Sequence, residues 1–436
     1  MEDPQLWRWA VIRVKAGSLR EVLASNRIRA VRSLEYDGGG EDPGNTTDNL
    51  KLILNILLES DFVLKSLKIK SFLENNSENS SLLAQIVCQV EEVDLQEISS
   101  DPLMFTEVFS QIETNRNMKL KSLNICGVYL TSICQDSLSN AINRIEKVNL
   151  SQLRMLPDQL HNIFDSFLSG GSRLKSLDLS FAQNIQIERQ ILSQTVANLV
   201  EVNLSHLGAW SHSVITALLS DLFEKDRGQT NLRKLLLEGN NLSHVSPTVL
   251  SEVACRLESF DLSKTNLLGD QLVELFSRIT GAREGRLKEL DIGGNNLDQV
   301  VEPNILAGVV SRLTNIDLWR TNLNQEQIQH LFDEIIRTDT LRLRSLNISQ
   351  NNLSSLSPLV FSQAIRRLEA VRMYKCKIAP TSSSYGSYSL PHHDCYFQPL
   401  SDSQGNLRIL LGNFSLSQQI IRKLSTQLHK FSHSFL

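Results

Sequence analysis

The sequence predicts an α/β solenoid, a fold in which short parallel strands alternate with helices along a stack of repeated units. A six-residue frame with apolar residues at its first, fourth and sixth positions recurs twelve times. Within each frame, as in LKELDI at 287–292, the apolar alternation is that of a strand with one buried face. A stretch with apolar residues three and four apart follows the frames, which is the spacing of an amphipathic helix. A single strand and helix cannot bury such faces, whereas a stack of units can.

The spacing of the frames alternates between short and long. The frames begin at Leu64, Val90, Leu120, Ile145, Leu174, Leu199, Leu232, Leu257, Leu287, Leu313, Leu343 and Leu368. Successive spacings are 26, 30, 25, 29, 25, 33, 25, 30, 26, 30 and 25 residues, with a mean near 28. The true period is therefore a pair of units, about 55 residues long.

Several units also carry signals for a turn or for the start of a helix. An asparagine after the strand can bond backbone groups at a sharp turn, and a serine followed by proline can begin a helix. The asparagines are Asn240, Asn295 and Asn351, and the serine–proline pairs are Ser246-Pro247 and Ser357-Pro358. The helical stripe expected to face the strands is clearest at Leu272, Leu275, Phe276 and Ile279.

A repeat near 28 residues with a full helix in each unit resembles the ribonuclease-inhibitor class of leucine-rich repeat. The resemblance covers residues 64–378 and implies a horseshoe with a parallel inner sheet and outer helices. Ribonuclease inhibitors are much richer in cysteine than this chain, which has six cysteines. We therefore carry over the α/β leucine-rich-repeat fold and not the ligand.

Residues 1–35 do not fit the frame and point to a second resemblance. The stretch MEDPQLWRWAVIRV is similar to the tail of an F-box, on the residues Asp3, Pro4, Leu6 and Trp7. In that family the F-box docks on a Skp adaptor of a cullin ubiquitin ligase, while the repeats hold the substrate. An F-box needs several helices before this point, so the resemblance implies adaptor binding only for a longer product that carries them. The alternative is a capping helix turn with a buried Trp7.

The remaining segments divide the chain further. Residues 36–63 are expected to form a Gly-rich loop and a first capping helix. Residues 379–406 are rich in Ser, Tyr and Pro and too long for an ordinary connection, which indicates an irregular functional loop. Residues 407–436 include apolar residues at helical spacing and are expected to cap the open end of the solenoid.

Composition and motifs argue against catalysis, metals, cofactors and membranes. The formal net charge is only −4, and the N-terminus has neither a basic start nor an apolar core typical of a signal peptide. These features favour the cytosol, with the nucleus as the alternative. The one cluster of metal-ligand types is His392, His393, Asp394 and Cys395, with Cys376 as a possible neighbour. Its members are adjacent rather than spaced, so no metal site is predicted.

The polar positions of the strands predict where a partner would bind, because they point into the concavity of a horseshoe. Acidic residues dominate the middle of this face, which favours a basic protein and disfavours nucleic acid. Aromatic residues beside cations follow towards the C-terminal end, and these types dominate interface energetics. The residues predicted to contact a partner on the concave face are Asp178, Glu201, Glu238, Asp261, Glu289, Asp291, Asp317, Trp319, Arg320, Arg372 and Tyr374. The alternative is that Asp and Asn merely form a ladder along a solvated sheet.

Three functions are compatible with this pattern. The leading interpretation is a protein-binding scaffold, similar to the substrate-recognition arm of an F-box ubiquitin ligase. The second is an inhibitory or sensing module, similar to ribonuclease inhibitors or to the repeats of intracellular immune receptors. The third, an enzyme, would need chemistry in the segment His392–Cys395 and is the least supported.

Overall fold

The computed structural model describes residues 11–15, 33–37, 43–59, 64–70, 77–96, 103–152, 155–182, 187–208, 211–225, 230–282, 285–298, 302–378, 388–389, 396–397, 399–401 and 407–409. The F-box-like residues Asp3, Pro4, Leu6 and Trp7 and the segment His392–Cys395 lie outside these ranges. The chain divides into an N-terminal unit, Met1–Leu267 with Glu284–Leu287, and a C-terminal unit formed by Leu268–Arg283 and Lys288–Leu436.

The described strands of the N-terminal unit form one parallel sheet in chain order. They are β1 (Val11–Lys15), β2 (Ser33–Asp37), β3 (Ser66–Lys70), β4 (Glu92–Asp94), β5 (Ser122–Asn124), β6 (Lys147–Asn149), β7 (Ser176–Asp178), β8 (Glu201–Asn203), β9 (Lys234–Leu236) and β10 (Ser259–Asp261). Each strand pairs with the next without a register shift between equivalent frame positions, as in Leu123 opposite Val148.

A helix lies between most successive strands of this unit. The helices are α1 (Pro43–Glu59), α2 (Ser77–Gln89), α3 (Leu103–Thr114), α4 (Gln135–Asn143), α5 (Pro157–Leu168), α6 (Arg189–Asn198), α7 (Ser211–Glu224) and α8 (Pro247–Arg256). The middle residue of each short strand is buried towards the helices, whereas its two neighbours are not. The core therefore lies between the sheet and the helix layer.

The C-terminal unit continues the same alternation. Its elements are α9 (Gly269–Gly281), β11 (Glu289–Asp291), α10 (Pro303–Arg312), β12 (Asn315–Asp317), α11 (Gln325–Arg337), β13 (Ser345–Asn347), β14 (Asn352–Leu353), α12 (Pro358–Ile365), β15 (Ala370–Arg372), β16 (Lys377–Ile378), β17 (Tyr388–Ser389), β18 (Tyr396–Phe397), β19 (Pro399–Ser401) and β20 (Leu407–Ile409). Strands β11, β12, β13 and β15 pair in parallel, and β18 adds to β15 antiparallel.

The apolar stripe predicted on α9 is confirmed. Leu272, Leu275, Phe276 and Ile279 are all buried. The start signals are confirmed in part, because the Ser357 hydroxyl accepts a hydrogen bond from the Val360 amide, whereas the Ser246 side chain makes no capping bond. Within the described part of the chain, every helix is too short or too polar to cross a membrane.

The parallel sheet begins before the first predicted repeat. Strand β2 continues the register of β3, with Leu34 opposite Leu67 and Tyr36 opposite Ile69. Tyr36 is fully buried in β2, although the sequence analysis placed it at the start of the Gly-rich loop expected within residues 36–63, and helix α1 begins at Pro43. The reason is that a tyrosine takes the sixth position of the frame, where the other units have an aliphatic residue or methionine.

Helix lengths explain why the spacing alternates. From α3 onwards, the long units carry helices of 12 to 14 residues and the short units carry helices of 8 to 10. The extra turn of the long helix ends in carbonyl groups that have no partner within the helix. An arginine from the following short unit donates to these carbonyls in three places, from Arg144, Arg256 and Arg367.

Two buried glutamine side chains link the start of a long helix to the repeat before it. The Gln159 side chain, at the start of α5, donates to the carbonyl oxygens of Leu130 and Ile133 at 2.8 and 2.9 Å. Gln327 has the same place in α11 and donates to the Leu297 carbonyl at 2.8 Å. Each glutamine thus ties a helix start to the preceding unit in the interior, where an unpaired polar group would be costly.

The predicted irregular loop and C-terminal cap fall mostly outside the described residues. Within 379–406 the structure gives the short strands β17, β18 and most of β19, of which β17 pairs antiparallel with β16. Within 407–436 it gives β20, which pairs antiparallel with β19.

Candidate binding surface

In each of the two units, the polar residues of the strands form an outward-facing surface, which we call the strand face. Each short strand contributes its first and third residues, because the second is buried towards the helices. The residue two positions after the strand adds a third column. The residues predicted to contact a partner, apart from Arg320, lie in these three columns. Within each unit, residues at the same position of neighbouring strands lie side by side.

The central column of Asp and Asn has a structural role in the turns. An oxygen of each of these side chains accepts a hydrogen bond from the backbone amide two residues later. For Asp178, Asp291 and Asp317 the donors are the amides of Ser180, Gly293 and Trp319, each at 2.8 Å. Asn149, Asn203 and Asn347 make the same bond with neutral side chains. This hydrogen bond needs an acceptor oxygen on the side chain and no charge.

Neighbouring members of the column also bond to one another. The Asn203 amide donates to Asp178 at 2.9 Å, and the Asn347 amide donates to Asp317 at 2.6 Å. With both oxygens engaged, these carboxylates have less capacity left for a partner. The alternative, a ladder of Asp and Asn along the sheet, therefore accounts for this column.

Glutamates in the flanking columns are paired with cations or amides. Glu201 lies 2.8 Å from Lys234, and Glu289 accepts a bond from the Asn315 amide at 2.9 Å. Burial alone would raise the pKa of Glu238, but Lys264 at 2.7 Å, with His206, holds that pKa below its ordinary value. The acidic appearance of the face is thus partly neutralised by neighbouring strands.

Asp261 gives a pH-dependent prediction. Burial raises its pKa, and the nearby Glu238 adds to this effect, although two bonds from Ser263 oppose it. A raised pKa means that ionisation of Asp261 costs stability, and this cost is absent below its ordinary pKa and complete above the raised one. We expect Asp261→Asn, which copies Asn203, to stabilise the protein at neutral pH, where the carboxylate is ionised.

The measurement is urea unfolding of both proteins across the acidic to neutral range. The gain from Asp261→Asn should shrink as the pH falls towards the ordinary value of 3.8. A gain that persists undiminished in acid would show that ionisation of this carboxylate is not the cause.

The next position along each turn has a left-handed backbone, and we call these positions the turn row. It consists in the N-terminal unit of Gly127, Gln152, Phe181, His206, Gly239 and Lys264, and in the C-terminal unit of Gly294, Arg320, Gln350 and Lys375. Glycine adopts this conformation freely, whereas other residues pay roughly 1 kcal/mol or more. Side chains that stand here are held at the rim of the strand face.

Phe181 and His206 are the unusual members of the turn row. Both have φ near +57°, and their rings stack with centroids 4.4 Å apart and an interplanar angle of 14°. Phe181 is nevertheless 46% exposed. The Nε2 atom of His206 lies 3.4 Å from Glu238, which also binds Lys264. These side chains form a continuous pre-ordered strip across neighbouring turns.

The strip depends on Gly239, which gives a matched pair of predictions. A Cβ added at Gly239 would overlap the His206 ring, whereas one added at Gly127 meets nothing within 4 Å. Both glycines have a positive φ, of 72° and 78°. We expect Gly127→Ala and Gly239→Ala each to lose about 1 kcal/mol through backbone strain, and Gly239→Ala alone to separate the stacked rings.

Side-chain NMR of Phe181 and His206 in the two variants separates these effects. Loss of the ring-current shifts in Gly239→Ala, with native shifts in Gly127→Ala, is the expected result. Native shifts in both variants would contradict the close seating of the His206 ring on Gly239.

In the C-terminal unit the predicted aromatic residues Trp319 and Tyr374 are half-buried and lie against neighbouring residues. Trp319, predicted to contact a partner, is half-buried. The reason is Gly293, where an added Cβ would lie 3.3 Å from Cε3 of the indole. Tyr374 donates its backbone amide to the Ser349 hydroxyl at 3.0 Å, and the Lys375 ammonium lies 4.9 Å from its ring centroid. The cations Arg320, Arg372 and Lys375 are exposed.

The sequence pointed to the cations Arg320 and Lys375 but not to the other members of the turn row. A signal was present, because glycine recurs three residues after the strand at Gly127, Gly239 and Gly294. Alignment of the frames would have placed Phe181 and His206 in the same column. Their conformation then follows from the glycines around them.

Comparison with known protein families gives a match to a single repeat of the chain. A family model described as Leucine Rich Repeat matches residues 342–364, which include β13 and most of α12. No curated protein matches the chain. A solved leucine-rich-repeat protein from Leptospira interrogans is 15% identical, with 84% of this chain and 89% of that chain covered and a TM-score of 0.39. The repeated strand–helix units and the matched repeat identify an α/β leucine-rich-repeat fold.

Proposed function

We propose that this protein is a protein–protein interaction scaffold that binds its partner through the strand face and the turn row. The observation that carries the proposal is the Phe181–His206 stack. Phe181 holds a strained backbone, at roughly 1 to 2 kcal/mol, while 46% of its surface stays in solvent. Strain that is not repaid by burial is typical of functional positions. An exposed, pre-ordered aromatic ring is also a frequent anchor of protein interfaces.

We propose a binding role without catalysis. Among the described residues, no group of three or more His, Cys, Asp or Glu side chains is arranged to hold a metal ion. The carboxylates of the strand face serve turns and neighbouring strands, as Asp178 and Asp317 do. The described cysteines Cys88, Cys126, Cys134, Cys255 and Cys376 are free thiols, which supports a cytosolic or nuclear location.

Site-specific crosslinking tests the binding surface. Benzoylphenylalanine is placed at position 181 and, as a matched control, at the exposed Gln190 on α6 of the same repeat. We expect a discrete protein adduct from position 181 that weakens in a His206→Ala background, because the stack orders the ring. Equal labelling from both positions would contradict a partner on the turn row.

At the finer level, we propose that the protein is the substrate-recognition arm of an F-box ubiquitin ligase. The support is the resemblance of Asp3, Pro4, Leu6 and Trp7 to the end of an F-box. The described strand β1 then begins at Val11, close behind these residues, as an F-box that leads directly into its repeats requires. Under this proposal the adaptor contacts lie N-terminal to the sheet and the substrate contacts lie on the strand face.

Co-purification tests this finer proposal. The endogenous gene product is tagged at its C-terminus and probed for a Skp adaptor and a cullin. We expect both to be recovered, and Trp7→Ala to reduce the recovery without loss of the adduct at position 181. Absence of both proteins would reject the ligase role and leave the scaffold role intact.

The second candidate is an inhibitory or sensing module similar to ribonuclease inhibitors. It is favoured by the repeat near 28 residues with a helix in each unit, on which the resemblance to ribonuclease inhibitors rests. A tight complex with a basic ribonuclease would support it. The pairing of Glu201 and Glu238 with lysines places this candidate second, because those carboxylates would have to exchange partners.

A further inference from the structure

We infer that the C-terminal unit binds an acidic, carboxylate-rich protein segment across the turns that follow β12, β13 and β15. The inference rests on the proposed scaffold function and adds the chemistry of the partner. It reverses the sign expected from the sequence, where the acidic residues of the face favoured a basic partner.

Two exposed cations lie in the turn row of the C-terminal unit. Arg320 and Lys375 occupy the turn row with φ of 51° and 52° and are exposed. Neither forms an ion pair with any residue in the part of the chain that the structure describes. The left-handed backbone fixes the base of each side chain at the rim of the sheet. Two positive charges are thus presented to solvent from ordered positions.

The nearby carboxylates of the strand face already accept hydrogen bonds from other groups. Asp317 accepts bonds from the Trp319 amide and from the Asn347 side chain, so both of its oxygens are engaged. Asp291 accepts from the Gly293 amide at 2.8 Å. These carboxylates lie on β11 and β12 and belong to their own turns. They neutralise the face as a whole but do not bind Arg320 or Lys375.

The distance between Arg320 and Lys375 follows from the backbone pairing of their turns. The turns are joined by backbone bonds, from the Arg320 amide to the Ser349 carbonyl at 2.9 Å and from the Gln350 amide to the Tyr374 carbonyl at 2.7 Å. Arg320 and Lys375 are therefore two strands apart, about 10 Å at the ordinary strand spacing. An extended peptide covers that distance in roughly three residues, so carboxylates two or three residues apart reach both cations.

The surroundings favour a peptide over a nucleic acid. Arg372, exposed on β15, and the Tyr374 ring extend the cationic end, while Asp291 and Asp317 lie on the adjoining strands. A nucleic acid carries a phosphate at every nucleotide and would meet those carboxylates as it continued along the sheet. A short acidic segment can contact the cations alone.

The test uses the full chain and measures fluorescence anisotropy with a labelled polyglutamate peptide, with polyglutamine and single-stranded DNA as comparison probes. The double variant Arg320→Gln/Lys375→Gln removes both charges, and Gln350 shows that glutamine fits this turn conformation. Arg312→Gln/Arg342→Gln removes the same charge from exposed positions outside the turn row. Arg372→Gln, on an extended strand, provides a second test should the double variant fail to fold.

We expect polyglutamate to bind and polyglutamine not to bind. The double variant should weaken polyglutamate binding roughly fivefold, Arg372→Gln should weaken it less, and the control pair should leave it unchanged. Equal losses in the control pair, or no binding of polyglutamate, would overturn the inference. Tighter binding of the DNA that is lost in the double variant would assign the surface to nucleic acid instead. In either case, a crosslinked protein adduct from position 181 would still support the scaffold function.

Discussion

Replacement of Asn351 by alanine is expected to destabilise the C-terminal unit by about 3 kcal/mol. Asn351 is only 4% exposed, and its amide donates to the Leu318 carbonyl at 2.7 Å and to the Ile348 carbonyl at 3.2 Å. Its oxygen accepts from the Leu323 amide at 3.2 Å. Alanine removes these bonds and leaves the Leu323 amide unpaired in the interior, where an unpaired group costs roughly 1 to 3 kcal/mol, while the Leu318 carbonyl keeps only the Thr321 hydroxyl.

Urea unfolding and hydrogen exchange at Leu323 provide the measurement, and Asn352→Ala provides the control. Asn352 is the adjacent asparagine, but it is exposed and bonds only the Ser354 amide among the described contacts. We expect the control to lose less than about 1 kcal/mol. Similar losses in the two variants would show that burial of the bonded amide is not what stabilises the turn.

Replacement of Arg144 by methionine is expected to cost about 2 to 3 kcal/mol and to fray the end of α3. Its guanidinium donates to the carbonyl oxygens of Ile112 and Asn115, each at 2.6 Å, and also to the Glu113 carbonyl. These are end carbonyls of a helix, where a positive charge also complements the helix dipole. Methionine retains much of the apolar stem and removes the charge and the donors.

The control for this prediction is Arg116→Met. Arg116 follows the same helix and is exposed, so it should change stability little. Hydrogen exchange of the amides from Ile112 to Asn115 reports the fraying directly. Unchanged protection in Arg144→Met would mean that the helix end is held by other contacts.

Much of the fold could be predicted because the repeat writes the same physical requirement many times. A buried aliphatic residue at alternate strand positions predicted the parallel sheet, and Leu123 opposite Val148 shows the result. The prediction started the sheet too late, because Tyr36 satisfies the same requirement with a different side chain. What recurs in each unit is a buried position, and an aromatic side chain can fill it as well as an aliphatic one.

The candidate site was harder to predict because charge alone does not reveal how a carboxylate is used. Asp317 looks like an acidic surface residue in the sequence, yet its oxygens complete a turn and a cross-strand bond. The difference could be inferred from Asn347, which alternates with aspartate in the column. The stack of Phe181 on His206 joins residues of two repeats, so it needs the register of the sheet as well as the sequence.

The arginines at Arg144, Arg256 and Arg367 have a consequence for how such a chain can change in length. Each covers the helix end of the unit before it, so the long unit is complete only when its short neighbour follows. Deletion or duplication of a single unit would leave bare carbonyls or an arginine without its acceptors. The chain should therefore grow and shrink in evolution by whole segments of about 55 residues, and shortened forms should be stable when they end after a short unit.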